Sequence, residues 1–470
     1  MTAGTVDIII TIRANESTKE ISKKLKMDDL ESNLSHLSKE ISGELSREVM
    51  DLVDEQIRRQ VPSNWKNVGR EKRSIQFEHG YTTYYRRIYM DEQGVRRKPL
   101  DELMNMKPYE RNSPKIREIG CVLAANSTYR MASQNLSFLT HHYFSPNSIQ
   151  RMVWQVGNQI CQQENNFQSS KSGEIMADIL YAESDGVWLH LQHENKRKTE
   201  VKVAVIYTGK NGIGKGRYKL QNKVVLTHLG GSTGQWQEKL REWADAHYDL
   251  QNVKLLVSGG DGSTWVKQSF DLFNLPQTHL LDRFHLIRAL RQAFGQDLPI
   301  QETSKKLFSE GFEAVSDQLL NCIGKTKDKR RNHMIQVYKY LQNNQEALLD
   351  LDKRGYPFLS FGNLGAIEGN VDKLVVHRME GRGCCWRMTG AKAMLAILRH
   401  KEALQNHAFL YQPIVPKRRR INRVVPTKEQ QSYSPASGSL PIFRSHDLSK
   451  QWVQLLKKKL DDNLSLTAFY

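Results

Sequence analysis

The stretch Val253-Lys254-Leu255-Leu256-Val257-Ser258-Gly259-Gly260-Asp261-Gly262-Ser263 decides how this chain folds. Residues 253–258 read as a short apolar strand, and the strand ends in a glycine turn built around an aspartate. In open α/β sheets the carboxyl ends of strands hold sites, so Asp261 stands where chemistry is done. An Asp before Gly is usually just a turn residue, and two further acids in comparable settings change that balance. Asp185 lies in Tyr181-Ala182-Glu183-Ser184-Asp185-Gly186-Val187-Trp188, and Glu368 lies in Gly365-Ala366-Ile367-Glu368-Gly369-Asn370-Val371. Spacings of 76 and 107 residues exclude a local motif. A fold that brings strand ends and a late helix to one point joins them. Carboxylates gathered there are ligands for hard divalent cations, which drive in-line displacement at phosphorus.

Working outward, residues 174–407 read as one α/β domain. Strands are expected at 179–192 with Asp185 inside, at 200–208 where Val201, Val203 and Val205 alternate, and at 223–229, 253–258 and 278–281. Helices are expected at 232–248, 265–272 and 285–294. Three strands, a helix, a strand, a helix and a strand is the order of the ribonuclease H-like fold, whose final helix carries the last acid. Residues 302–355 read as helix throughout, an all-helical insertion (about 300–360) that includes a basic patch at 325–333.

Residues 1–112 read as an N-terminal helix plus a β-rich segment. Leu30, Leu34, Leu37, Ile41, Leu45, Val49 and Leu52 form one stripe of a helix expected over 18–60. The stripe packs on the chain's own core or pairs as a coiled coil. Residues 6–12 suit a buried strand better than a signal peptide, lacking a basic leader and a cleavage site. In 74–90, Tyr81, Tyr84, Tyr85 and Tyr89 interleave with Arg86 and Arg87, either lining a DNA backbone or forming one face of a hairpin.

A helix-turn-helix region is expected over 113–160. Its third helix opens with Ser145 as N-cap and Pro146 in the first turn. Ile149, Met152, Val153 and Val156 turn inward, leaving Asn147, Ser148, Gln150, Arg151 and Gln155 to read base edges. Any small three-helix unit shows the same pattern. Residues 408–470 read as a basic C-terminal arm, with Lys417, Arg418, Arg419 and Arg420 in a stretch free of acids.

The 470 residues carry 69 Lys plus Arg against 51 Asp plus Glu, a net +18 that favours a polyanion such as DNA through counterion release. A solvated basic surface or an anionic-lipid binder is the alternative. No apolar run approaches the ~18 residues of a membrane span. Five cysteines without C-x-x-C spacing argue against a disulfide framework and a structural zinc site and point to a cytoplasmic protein, which a DNA partner would make nucleoid-associated.

Further segments match those three acids in kind. Glu183-Ser-Asp-Gly-Val-Trp-Leu-His-Leu-Gln192, Gly260-Asp-Gly-Ser-Thr-Trp265, Leu281-Asp-Arg-Phe-His-Leu286, Gly365-Ala-Ile-Glu-Gly-Asn-Val371 and Gly383-Cys-Cys-Trp386 resemble bacterial insertion-sequence transposases of the DDE class. The nearest branch is ISLre, similar to the Mutator-like group, over about residues 73–399. Tyr129-Arg-Met-Ala-Ser133 with Ser148-Ile-Gln-Arg-Met152 looks like that branch's helix-turn-helix. The resemblance implies a transposase that binds the double-stranded ends of its element and catalyses DNA strand cleavage and strand transfer. It implies Asp185, Asp261 and Glu368 as catalytic ligands of two Mg²⁺ ions, with Mn²⁺ as substitute. It also marks Asp282 and His285 in place of a Cys-x-x-His. His285 either contacts the scissile phosphate or satisfies a buried hydrogen bond. A homodimer or larger synaptic assembly follows from the need to join two ends. Glu183 shares the sheet face of Asp185 as a supporting acid, and Glu380 is the rival of Glu368. A metal-dependent nuclease without strand transfer and a non-catalytic DNA-binding regulator are the competing readings.

Overall fold

The structure, a computed structural model, describes residues 5–14, 17–167, 173–214, 217–327, 329–356, 364–381 and 383–406. It is mixed α/β, as expected. The chain opens with a hairpin, β1 (Thr5–Ala14) and β2 (Ser17–Lys26), followed by α1 (Leu30–Gln60). The helix expected from residue 18 therefore starts twelve residues later. Ile21 and Leu25, four apart, fit a helical period and a strand period alike. Strand wins because the apolar run before them pairs with it, Ile10 opposite Ile21 and Val6 opposite Leu25. The strand over 6–12 is present but not buried, since Val6 and Ile9 are exposed.

A three-stranded antiparallel sheet follows, β3 (Lys66–Phe77), β4 (Gly80–Met90) and β5 (Arg96–Arg97), then the short helix α2 (Pro99–Leu103). Helix α1 docks on this sheet through Met50, Val53 and Ile57, packed against Ile75 and Tyr84. The leucine stripe is only partly used: Leu37 is buried, while Leu30, Leu34 and Val49 stay exposed. Arg86 and Arg87 are buried in ion pairs, Arg86 with Asp101 at 3.1 Å and Arg87 with Asp54 at 2.7 Å. Their charge is consumed inside the fold, and Tyr84 and Tyr89 are buried with them. This segment is one face of a hairpin, with no free arginine pair to line a DNA backbone.

Helices α3 (Pro114–Asn126), α4 (Tyr129–Thr140) and α5 (Pro146–Phe167) each begin at a hydroxyl cap. Ser113, Thr128 and Ser145 accept the amides of Ile116, Met131 and Ser148 at 3.1–3.3 Å. The main sheet comprises β6 (Ile179–His190), β7 (Lys198–Tyr207), β10 (Val224–Leu229), β11 (Leu255–Gly260) and β12 (Gln277–Leu281), in the order β10-β7-β6-β11-β12. Strand β7 runs antiparallel to both β10 and β6, and β11 and β12 run parallel to β6. A separate hairpin, β8 (Gly209–Gly214) with β9 (Arg217–Gln221), rises between β7 and β10. Helices α6 (Thr233–His247), α7 (Thr264–Gln268) and α8 (Arg283–Phe294) connect the later strands. The insertion is helical as expected but broken into α9 (Ile300–Ser309), α10 (Glu313–Lys325) and α11 (Arg330–Asn343) around its own core. The described chain ends with α12 (Ala366–Val371), α13 (His377–Met379), α14 (Met388–Arg399) and α15 (Lys401–Gln405).

Strand alternation sends side chains to two cores. Tyr181, Val187, Leu189, Val201, Val203 and Val257 face α3–α5, α12 and α14, whereas Leu180, Ala182, Ala204, Ile206 and Leu256 face α6. Helices α5 and α14 meet backbone to backbone: a Cβ on Gly157 would stand 2.5 Å from the Ala393 carbonyl oxygen, so only glycine fits there. Among the described residues no helix is long and apolar enough to cross a membrane.

The same helix pair is locked by a buried carboxylate. Glu164 of α5 accepts from Arg399 Nη2 at 2.6 Å and lies 2.9 Å from His400 Nε2. Burial alone would raise its pKa, but the Arg399 charge and the hydrogen bonds from both partners win and bring it down to about 2. A carboxylate depressed from 4.5 to about 2 contributes stability that is complete above the unfolded value and lost as pH falls through the folded one. The Glu164→Gln protein should therefore melt well below the wild type at neutral pH. The gap between the two thermal midpoints should close as pH falls from about 4.5 to about 2, which calorimetry across that range checks.

Candidate active site

Parallel pairing of β11 with β6 sets Gly259 opposite Glu183, and its pairing with β12 sets Gly260 opposite Leu281. Carried just past the ends of β11 and β12, the same register puts Asp261 beside Asp185 of β6 on one side and Asp282 on the other. Adjacent strands lie about 4.8 Å apart, so three carboxylates form a row across three strands. Neither Gly259 nor Gly260 leaves room for a side chain: a Cβ on Gly259 would meet Leu364 Cδ1 at 2.4 Å, and one on Gly260, on the other face, would meet Val266 Cγ1 at 2.2 Å and the Ser184 carbonyl at 2.8 Å.

Each acid is oriented by nearby backbone. Asp185 Oδ1 accepts the Gly186 amide at 2.7 Å, and Asp261 Oδ1 accepts the Ser263 amide at 2.9 Å. The Asp261 carbonyl takes the Tyr340 hydroxyl of α11 at 2.7 Å, tying the helical insertion to the acid turn. Burial raises the Asp185 pKa, and the charges of Asp261 and Asp282 add to that rise against the Gly186 amide and His285. Asp282 caps α8, its Oδ1 accepting the Phe284 amide at 2.8 Å. His285 Nδ1 lies 3.4 Å from Asp282 Oδ2, an ion-pair distance without hydrogen-bond alignment. The Asp282 carboxylate nonetheless holds His285 above its ordinary pKa, and burial works against it. Burial would likewise raise Asp282, but His285 and the helix amides outweigh it and lower the group.

Glu368 arrives from another direction. Its helix α12 starts at Gly365, which turns with φ +96°, and the three amides of Gly365, Ala366 and Ile367 all donate to the Glu183 carboxylate at 2.8–3.1 Å. Tyr207 donates its hydroxyl to the same carboxylate at 2.8 Å. Glu183 is 1% exposed, so a buried acid two residues before Asp185 holds the helix that carries Glu368. Exposed Glu368 shares with Glu183 and Asp282 the lining of a cavity of about 230 Å³ above Gly259 and Gly260. Asp185 and Asp261 are not part of that lining. Among the described residues, no three His, Cys, Asp or Glu side chains are gathered as one ion's ligand set. Glu380, the rival acid, is exposed just past α13.

On α5, Asn147, Arg151 and Gln155 are exposed and Gln150 is half-buried. Ser148 is half-buried too, its hydroxyl 2.9 Å from that of Ser145. Lys417, Arg418, Arg419 and Arg420 lie outside the described residues. A basic feature the sequence reading missed is the β8–β9 hairpin, where Lys210, Arg217 and Lys219 accompany exposed Tyr218 and Ile213. Lys210 reaches the Leu364 carbonyl at 3.3 Å and Lys223, just beyond β9, reaches Asn370 Oδ1 at 3.4 Å, so the hairpin root abuts α12. The signal was there as a lysine- and glycine-rich run, 209–223, without a single acid.

Two outcomes follow from this arrangement. Glu183→Ala should cost about 3 kcal/mol by stranding three amides and a hydroxyl, with hydrogen exchange accelerated first at Gly365, Ala366 and Ile367. In Asp282→Asn, the His285 imidazole should titrate lower than in the wild type, as an NMR pH series reads directly.

The acid row, α5, the β8–β9 hairpin and the helix held by Glu183 all fall within a span shared with other proteins. The chain is 26% identical over 401 residues to a Streptococcus gallolyticus protein described as "UPF0236 protein in vanSb 3'region", a match covering 81% of this chain and 84% of that one. A family model described as "Uncharacterised protein family (UPF0236)" matches residues 20–406. From α1 through α15, including every residue of the acid row and of the helix held by Glu183, this chain belongs to the uncharacterised protein family UPF0236.

Proposed function

We propose that this protein is a DDE-class transposase that cleaves and joins DNA strands with a ribonuclease H-like catalytic domain. The observation that carries this reading is the acid row formed by Asp185 in the middle of β6 with Asp261 and Asp282 just past the ends of β11 and β12, and Glu368 on a helix anchored to Glu183. The sheet order β10-β7-β6-β11-β12, with three antiparallel strands followed by two parallel ones, supports the same fold reading.

The oxygen donors of these acids suit Mg²⁺ in kind, and among the described residues they are not gathered as one ion's ligand set. Asp185 is pushed up by burial and by two neighbouring carboxylates, a crowding that a hard cation relieves. Asp185 and Asp261, joined by Glu368, would hold it. Bound there, divalent ions would polarise a phosphate and activate water or a 3′-hydroxyl. Beside them, His285 is kept toward its charged form by Asp282 and adds positive charge where negative charge develops at phosphorus. Double-stranded DNA would be gripped through phosphates by the β8–β9 hairpin and read by the exposed face of α5. Two chains or more would assemble to bring two element ends together.

The test is incubation of the full chain with DNA from the flanks of its own gene and Mg²⁺, followed by sequencing of the products. Joined products support the proposal; cut but unjoined DNA makes the protein a nuclease, and binding alone makes it a regulator. Asp185→Asn, Asp261→Asn and Glu368→Gln should each lower cleavage about a thousandfold, equivalent to ~4 kcal/mol of transition-state stabilisation. DNA binding by each should persist in a gel-shift assay.

A further inference from the structure

A second cleft, of about 480 Å³, opens where the starts of α4 and α14 meet α5 and the end of β6. Its walls combine the very segments that the acid row leaves unused: Tyr129, Gln150 and the Cys384-Cys385-Trp386 run. Three aromatic rings border it, Tyr129, Trp154 and Trp386, the first and last set edge to face at 6.4 Å between centroids. The Trp386 indole is pinned, donating to the Met379 carbonyl at 2.9 Å. Gly390 leaves the Trp154 edge uncovered, since a Cβ there would stand 3.3 Å from Nε1.

The charge in this cleft is one-sided. Arg378 is 8% exposed and stacks over both Tyr129, at 5.4 Å, and Trp386, at 5.1 Å. Its Nε donates to the Ala124 carbonyl at 2.5 Å, and among the described residues no carboxylate pairs with it. A buried guanidinium without a counter-ion is costly, and an anion entering the cleft would remove that cost. Arg387 and His193 add exposed positive or ionisable groups at the rim, and among the described residues no acid lines the cleft. Glu194, next to His193 in sequence, is engaged elsewhere, accepting the Met388 amide at 3.2 Å. Gln150 and Gln192 supply amide donors and acceptors of the kind that pair with base edges.

We propose that this cleft binds a single unstacked nucleotide, its base against the aromatic wall, its edge on the glutamines and its phosphate on Arg378 and Arg387. A phosphate alone would not need three rings, and an apolar ligand would not need an unpaired guanidinium. The cleft is large enough for a base with its sugar and phosphate. Gln192 lies seven residues beyond Asp185 in the direction of β6, roughly 20 Å at strand rise. The nucleotide held is therefore several steps along the strand from any phosphate at the acid row. That its source is a DNA strand rests on the function proposed above; the chemistry of the cleft does not.

The probe is a forked DNA duplex whose unpaired arm carries 5-iodouracil, compared with the same duplex fully paired, both with the full-length protein. Stacking of one base on an aromatic wall is worth ~1.4 kcal/mol or more, so the forked DNA should bind about tenfold tighter. Photocrosslinks should map to Tyr129 or Trp154. Trp154→Leu and Arg387→Ala should both erase the preference for the fork. Arg387 is exposed, so its variant keeps the test valid should the tryptophan variant fail to fold. Equal binding of the two DNAs, or a preference surviving in Arg387→Ala, overturns the inference while leaving the transposase reading intact. If neither DNA binds but uridine 5′-monophosphate binds and is lost in Arg387→Ala, the cleft is a free-nucleotide site and the DNA reading fails.

Discussion

Glu183 accepts four hydrogen bonds inside the protein, three from the first amides of α12 and one from Tyr207, and the site geometry rests on them. A six-residue helix has no stability of its own, because nucleation costs more than so few backbone bonds return. Its N-terminal amides need acceptors, and the partial positive charge of a helix start favours a carboxylate there. Glu183 fulfils both needs from the middle of the sheet, across 182 residues of chain. It also closes the long excursion through the helical insertion, returning the chain to β6 two residues from Asp185. Ile367 and Val371 then pack into the sheet's apolar core, which orients the helix, while Glu368 stays in solvent at the cavity.

The insertion has a structural part in this arrangement beyond its own core. Tyr340 binds the carbonyl of Asp261, and Arg354 binds Thr278 and the His279 carbonyl at 2.8–2.9 Å, so α11 and the turn after it clasp β11 and β12 from the edge. Burial of Tyr340 beside Asp261 and Asp282 pushes its phenol up, keeping the hydroxyl protonated as a donor. Strand ends that carry like charges repel one another, and this clasp opposes that repulsion mechanically. Asp261 thus remains in a row that electrostatics alone would spread.

Much of the fold was legible because the strands of the main sheet alternate or run apolar with clear punctuation. Val201, Val203 and Val205 announce β7, and the glycines after Ser258 announce the end of β11. The interval between Asp185 and Asp261 even equals the offset of the β6–β11 register, Ile179 opposite Leu255, though nothing local says which strands pair. The errors share a cause in ambiguous or long-range information. Ile21 and Leu25 satisfy two periods, so local pattern favours helix where a strand forms. The β8–β9 hairpin lacks apolar alternation, since it buries little and projects polar side chains. Arg86 and Arg87 sit among tyrosines in a way that suggests a nucleic-acid surface, but their partners Asp54 and Asp101 come from distant positions. Glu183 was placed on the right sheet face; its helix partner could not be read, because a contact across 182 residues leaves no local pattern.

Strand β6 is the element that both sites share, and that sharing constrains them. Its middle carries Glu183 and Asp185, and just past its end Leu191 bridges to Trp386 while Gln192 donates its amide to the Trp386 carbonyl at 2.9 Å. A paired strand is stiff along its axis, so the separation of acid row and aromatic cleft is set by rise per residue and not by loop conformation. Helix α14 packs against α5 and starts at the cleft, and the Glu164–Arg399 pair locks the far ends of those two helices together. The outward face of α5, the cleft and the acid row are thus joined through one sheet strand and one helix pair.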